Sequence, residues 1–271
     1  MNMTTSGAAT TITKRRKARR AMNNQTMEKL YQMRLDIMAE AFKEQMNTAA
    51  QSSLSFEERF AMIVDREWTY RENRKLQTRV KAARLKQNAS VEDIDYRHPR
   101  GLEKSLVLSL ASCQWIKSHH NIVITGPTGI GKSYIAEAFA QKACREGYTA
   151  LCYRSPRLLR EMAIARGDGS YIKLLNRLAK TEVLVIDDWG LTPLTDEERR
   201  DFLEVMEDRH GLKSTLITSQ YPVSKWHDLI GEPTLADAIL DRIVHNAHKL
   251  TLKGESMRKT KAKLTHPDQQ K

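Results

Sequence analysis

The chain has 271 residues, 40% of them hydrophobic, enough for one domain of about 150 residues and a smaller companion. No stretch approaches the roughly 20 apolar residues of a membrane span, and the polar, then basic N-terminus lacks the apolar region of a secretory signal. Lys plus Arg number 45 against 33 Asp plus Glu, a formal net charge of +12, which points either to a nucleic-acid partner or to nothing more than a basic soluble surface.

Residues 1–25 carry Lys14, Arg15, Arg16, Lys17, Arg19 and Arg20 and no acid. A run of like charge without apolar partners cannot collapse, so a disordered basic arm is expected. Its Ser, Thr and Arg content also suits a transit peptide, but the solvated arm is the simpler reading.

From Thr26 to about Ala50, Leu30, Met33, Ile37, Met38 and Phe42 recur at helical steps. Ser55 with Glu58 forms a capping box and opens a second helix. Phe60, Val64, Trp68, Leu76 and Val80 give that helix an apolar stripe. Its other faces hold Arg66, Arg71, Arg74, Lys75, Arg79, Lys81, Arg84 and Lys86 against Glu67 and Glu72. Such a face suits DNA phosphates, with Arg74, Lys75, Arg79, Lys81 and Arg84 as candidates, or is an ordinary solvated face over a helical bundle. Residues 26–95 are therefore read as a small all-helical N-terminal domain.

Residues 96–101 (YRHPRG) read as a linker, and Leu102–Lys117 as a helix. Strands and helices then alternate. Strands are expected at Asn121–Thr125, Thr149–Arg154, Val183–Asp187, Ser214–Thr218 and His248–Leu252. Helices are expected at Ser133–Glu146, Pro156–Arg166, Tyr171–Ala179, Asp196–Arg209 and Leu235–His245. That order implies an α/β fold, a parallel sheet with helices on both faces. The second domain runs over 96–259, and a flexible tail over 260–271.

The sequence GPTGIGKS occupies Gly126–Ser133, after an apolar strand and before a helix. Its residues, Gly126, Pro127, Thr128, Gly129, Ile130, Gly131, Lys132 and Ser133, form a phosphate-binding loop whose amides and helix N-terminus face phosphate oxygens. Tyr134 follows in the same site. Lys132 is assigned to the β- and γ-phosphates, and the Ser133 hydroxyl to Mg²⁺. VLVIDD at Val183–Asp188 ends a buried strand in two carboxylates. Asp187 is assigned to Mg²⁺ and Asp188 to polarising the attacking water. ATP and Mg²⁺ are thus the expected cofactors.

ITSQ at Ile217–Gln220 ends the next strand. Ser219 is the first choice to sense the γ-phosphate and Gln220 the second; a plain turn before Pro222 is the alternative. Arg242 is placed to reach a neighbour's γ-phosphate, unless it pairs on its own helix with Asp241 or Asp237. Arg258 is a candidate for the same molecule's nucleotide. The histidines show no ligand set with a third member. Cys113, Cys144 and Cys152 fit neither a disulfide framework nor a metal pattern and read as buried thiols in a reducing cytoplasm.

Taken together, LSFEER at 54–59, YR at 96–97, RGL at 100–102, GPTGIGKS, DGSY at 168–171, IDDWG at 186–190, LITSQ at 216–220, EPTLADAILDRIVHNAH at 232–248 and GESMRK at 254–259 resemble the IstB-like ATPases. These are bacterial helpers of insertion-sequence transposition, similar to the DnaC-type helicase loaders. The resemblance spans about Glu28 to Lys259; the basic arm departs from it. It implies an AAA+ core with little or no lid and ATP-dependent homo-oligomers on double-stranded DNA of largely any sequence. It also implies a cognate transposase as partner and a place in the bacterial cytoplasm with the nucleoid. It gives Arg242 the look of an arginine finger and Arg258 that of a second sensor. The insertion before Val183, with Arg154, Arg157, Arg160, Arg166, Lys173 and Arg177, looks similar to the helical element through which initiator-type AAA+ proteins touch DNA. A helicase-loading adaptor is the competing reading, and the 54–102 pattern argues against it.

Overall fold

The computed structural model describes residues 6–47 and 54–257. Arg258 and the 260–271 tail lie outside them. The described chain forms two compact units, 1–75 and 76–271.

In the first unit, α1 (Ser6–Gln32) is helical where a structureless arm was expected through residue 25. Ala, Lys and Arg are strong helix formers, and α1 packs on α2 (Asp36–Asn47) through half-buried Asn23, Met27 and Leu30. The single helix expected from Thr26 breaks at Arg34, whose φ of 58° gives a left-handed cap. The Leu35 amide then returns to the Leu30 carbonyl at 2.9 Å.

Ser55 and Glu58 form the expected capping box at the start of α3 (Phe56–Ala82), each side chain bonding the other's amide (3.2 and 2.7 Å). The expected apolar stripe is only half inward. Phe60 and Trp68 are exposed, while Ile63 and Glu67 are buried. Glu67 is tolerated there because Arg71 and the Met38 amide bond its carboxylate.

The boundary falls at 75/76, inside α3, rather than after residue 95. Beyond it, Leu76 and Val80 pack against the core that holds Ala83, Ala89, Val91 and Ile94. The region expected as one helix over Leu102–Lys117 is two, α4 (Lys104–Ala111) and α5 (Gln114–Lys117), because Cys113 takes a left-handed φ of 60°.

The second unit is built on β1 (Asn121–Thr125), α6 (Lys132–Arg145), β2 (Ala150–Arg154), α7 (Ser155–Asp168), α8 (Tyr171–Lys180) and β3 (Val183–Trp189). It continues through α9 (Asp196–Arg209), β4 (Ser214–Ser219), α10 (Trp226–Ile230), α11 (Pro233–Val244) and β5 (Ala247–Thr251). The five strands are all parallel, in the order β2-β3-β4-β1-β5. Successive strand residues face opposite ways. Ile122, Ile124, Val183, Val185 and Leu216 pack with α6 on one face. Val123, Leu184, Ile186 and Ile217 pack with α7, α8, α9 and α11 on the other. Both faces are covered, as the alternation predicts.

Arg209 shows how tightly the second layer is tied. It is 1% exposed with no acid beside it, and it donates to Thr215 Oγ1 (3.0 Å) and to the carbonyls of Leu178, Thr181 and Ser214. Those groups gather the ends of α8, β3 and β4 around one guanidinium. Among the described residues no helix is long and apolar enough to cross a membrane.

Candidate active site

At the C-terminal ends of the strands lies a cavity of about 660 Å³, where an open parallel sheet places its ligand. The loop from β1 to α6 forms one wall. Gly126, Gly129 and Gly131 have φ of 148°, 77° and 99°, conformations that turn the loop and that residues with a Cβ resist. The approaches are close. A Cβ on Gly126 would stand 2.5 Å from the Leu252 carbonyl oxygen, and one on Gly131 2.5 Å from Arg100 Nη1.

Thr128, Gly129, Gly131, Lys132, Ser133 and Tyr134 line the cavity. Gly126 and Pro127 contribute differently, since their carbonyls accept Lys132 Nζ at 2.8 and 2.9 Å. Ile130 is fully buried in the core and anchors the loop. Burial holds the Lys132 ammonium below its usual range, and Asp188 and Asp187 pull it back up.

Asp187 and Asp188 both line the cavity. Asp187 Oδ1 accepts Ser133 Oγ at 2.7 Å and Thr218 Oγ1 at 2.6 Å. Adjacent hydroxyl and carboxylate oxygens are the donors Mg²⁺ takes, so this pair fits that ion. The ladder shifts register after Ile186, and Asp188 sits at a left-handed φ of 60°. Its amide donates to Thr218 Oγ1 at 3.0 Å. Its Oδ2 accepts Arg154 Nε and Nη2 at 2.9 and 2.6 Å. Base chemistry by that oxygen requires the pair to part.

The fully buried Ser219 departs from its expected place. Its hydroxyl donates to the Trp189 carbonyl (2.9 Å) and accepts the Tyr221 amide (3.1 Å). The small polar residue that touches a carboxylate is Thr218, one position earlier on the strand. Gln220, the second choice, lines the cavity.

Arg242 does not line its own cavity. Glu207 of α9 pairs with its Nε, and its Nη1 donates to the Ala238 carbonyl at 2.8 Å. The partner is thus neither Asp237 nor Asp241. Arg258 lies outside the described residues, but Met257 just before it lines the cavity and donates its amide to the Gly129 carbonyl at 3.0 Å.

The basic residues assigned to DNA separate. Lys81, Arg157, Arg160 and Lys173 are exposed on α3, α7 and α8. Lys75 pairs with Glu72 at 2.7 Å, and Arg74 is exposed on the same helix. Arg79 is half-buried and donates to the Cys144 carbonyl at 2.9 Å. Arg84, past the end of α3, lies over the Tyr153 ring and bonds its hydroxyl and Glu161. Arg79 and Arg84 are therefore engaged within the second unit itself. Arg154 and Lys86, read as parts of basic DNA-facing surfaces, line the cavity instead.

Arg100 was not singled out by the sequence reading beyond its place in RGL. It is 2% exposed and donates to the carbonyls of Ile130 and Asp95, both at 2.9 Å. It ties the phosphate loop to the segment before the sheet. An arginine followed by Gly101 and Leu102 is the signal the sequence offers for it.

The family profile for IstB-like ATP binding proteins matches residues 28–265. The insertion sequence ATP-binding protein y4pL of Sinorhizobium fredii is 48% identical over 234 residues, 86% of this chain and 96% of that protein. The insertion sequence IS1162 ATP-binding protein of Pseudomonas fluorescens is 47% identical over 204 residues, 75% of this chain and 88% of that protein. The fold is similar to the replication initiator DnaA bound to AMPPCP and single-stranded DNA. There the TM-score is 0.52 at 16% identity, over 69% of this chain and 58% of that one. The DnaC helicase loader matches with a TM-score of 0.50 at 22% identity, over 61% of this chain and 97% of that one. With the phosphate loop, the paired carboxylates and the parallel sheet in place, the chain belongs to the IstB-like ATP-binding proteins.

Proposed function

We propose that this ATPase assembles as a homo-oligomer on double-stranded DNA, selects or remodels target DNA, and stimulates a cognate transposase in the bacterial cytoplasm. The observation that carries the reading is the position of Arg242. It is held on α11 by Glu207, away from the cavity that holds Lys132, Asp187 and Asp188. A γ-phosphate served by Arg242 then belongs to a neighbouring subunit, ATP sits between subunits, and nucleotide controls assembly.

Within one site, Lys132 turns from its own loop's carbonyls to the β- and γ-phosphate oxygens. Ser133 and Asp187 would hold Mg²⁺, whose chemistry there would be to neutralise negative charge on the phosphates. Asp188 takes the proton of the attacking water once Arg154 releases it. Exposed Lys81, Arg157, Arg160 and Lys173 supply phosphate contacts, which position DNA without reading its sequence.

Mixing variants tests the interface. Arg242→Ala should bind nucleotide normally and hydrolyse it poorly, and Lys132→Ala should fail at binding. Mixed together, the two should recover activity, because an intact loop then meets an intact Arg242 from its neighbour. Loss of nucleotide binding in Arg242→Ala equal to that in Lys132→Ala, or no recovery on mixing, would overturn the assignment. Co-purification with a replicative helicase in place of a transposase would overturn the transposition role.

A further inference from the structure

Glu137 is a buried acid with no part in the chemistry above. It lies on α6 one turn beyond Ser133, is 5% exposed, and burial holds its carboxyl above the usual range. An unpaired carboxylate in such a place is costly. Glu137 is not unpaired: its Oε2 accepts the backbone amides of Lys86 and Gln87 at 2.9 and 2.8 Å.

Those two amides belong to the segment that leaves α3. The helix stops at Ala82, and Arg84 turns the chain with a left-handed φ of 57°. The Ala83 carbonyl accepts the Cys152 amide on edge strand β2 at 2.9 Å. The segment is next fixed at Glu137, and farther on Glu92 pairs with Arg145 at 2.8 Å. Held at these points, it forms part of the cavity wall, and Lys86 and Gln87 line the cavity with Ser133, Asp187, Asp188 and Arg154. A lysine from outside the phosphate loop thus shares the cavity with the two strand-end carboxylates.

We propose that Lys86 is a second lysine for the terminal phosphate of the bound triphosphate, and that Glu137 is the positioning residue that holds it there. The inference rests on the nucleotide reading of the cavity. Lys132 takes its place from the start of α6, next to the loop, and is assigned to the β- and γ-phosphates. Lys86 lines the same cavity from the segment that Glu137 fixes on α6, outside the loop, and the terminal phosphate is the part of the nucleotide assigned to it. Lys86 lies four residues past the end of α3, whose last turn carries exposed Lys81.

The test is the affinity of the full-length protein for ATPγS and for ADP, measured by calorimetry. A charge-assisted hydrogen bond gives roughly a tenfold effect or more. Lys86→Ala should weaken ATPγS about tenfold and change ADP less than about twofold. Lys86→Arg should recover most of the loss. Glu137→Ala should repeat the Lys86→Ala pattern. Glu137→Gln, whose amide oxygen still accepts both backbone N–H groups, should stay near the parent. Equal loss for both nucleotides, or no loss for either, in Lys86→Ala would overturn the proposal; the Lys86 side chain is exposed, so this variant is expected to fold. Lys132→Ala serves as the separate arm: if it binds both nucleotides as the parent does, the nucleotide reading itself fails.

Discussion

Thr218→Val removes one hydroxyl from the centre of the site and keeps the side chain's shape. Thr218 is fully buried. Its hydroxyl donates to Asp187 Oδ1 at 2.6 Å and accepts the Asp188 amide at 3.0 Å. Loss of a hydrogen bond to a charged group costs about 1.5–3 kcal/mol, and orphaning the amide costs about 1–3 kcal/mol more. Asp187 keeps Ser133 Oγ at 2.7 Å, which places the first contribution at the low end. A loss of about 2–4 kcal/mol follows. The Asp187 carboxylate and the Asp188 backbone lose their shared tie, so kcat should fall about 10- to 100-fold, at about 1.4 kcal/mol per factor of ten. Urea unfolding followed by tryptophan fluorescence reads the stability, since Trp189 and Trp226 are both buried beside this strand end and make ring contact with each other. Ser219→Ala is the matched control. It breaks only backbone contacts and should leave kcat within about threefold of the parent, below the single factor of ten that 1.4 kcal/mol gives. A Thr218→Val protein with parental stability and rate, or a Ser219→Ala protein that loses activity while Thr218→Val keeps it, would refute the reasoning.

Three further outcomes are expected. Arg100→Met orphans the Ile130 and Asp95 carbonyls and unties the phosphate loop, so nucleotide affinity should fall by about tenfold or more in a binding titration. Gly126→Ala forces a Cβ to within 2.5 Å of the Leu252 carbonyl at a φ of 148°, which should cost about 2–4 kcal/mol in urea unfolding. His248 is held below its usual value of 6.5, first by burial and then by His120. Above pH 6.5 neither the folded nor the unfolded form carries that proton; as pH falls through and below 6.5 the unfolded chain takes it up first, so stability is lost. His248→Gln should flatten the fall in melting temperature between pH 7 and pH 5.

The phosphate loop was legible because the chemistry dictates residue types at fixed spacing: glycines where φ is positive, then Lys132 and Ser133 at a helix start. Asp187 and Asp188 were legible because four apolar residues must bury a central strand before the chain can end in acids. Helix ends were harder. Arg34, Arg84 and Cys113 take left-handed conformations without glycine, so no local signal breaks the helical pattern there. The unit boundary hides inside α3, where the apolar period runs through Leu76 and Val80 without a linker. Lys86 and Arg154 read as surface cations, and Arg100 only as part of RGL, because the contacts that bring them into the cavity join distant parts of the chain: Glu137 for Lys86, the Ile130 carbonyl for Arg100 and Asp188 for Arg154. Buried Arg209 closes a helix in the position of a solvent-facing cap, and only the converging carbonyls of two other elements reveal why it is charged.

The central claim is that nucleotide at this site controls assembly on DNA. Its most direct test is the mass of complexes formed by the purified protein with duplexes of unrelated sequence, with ATP, with ADP and with neither, over a series of salt concentrations. Large complexes that need ATP, ignore sequence, weaken steeply with salt and vanish in Lys132→Ala are the predicted result. A monomer that hydrolyses ATP and binds no DNA in any condition would contradict it.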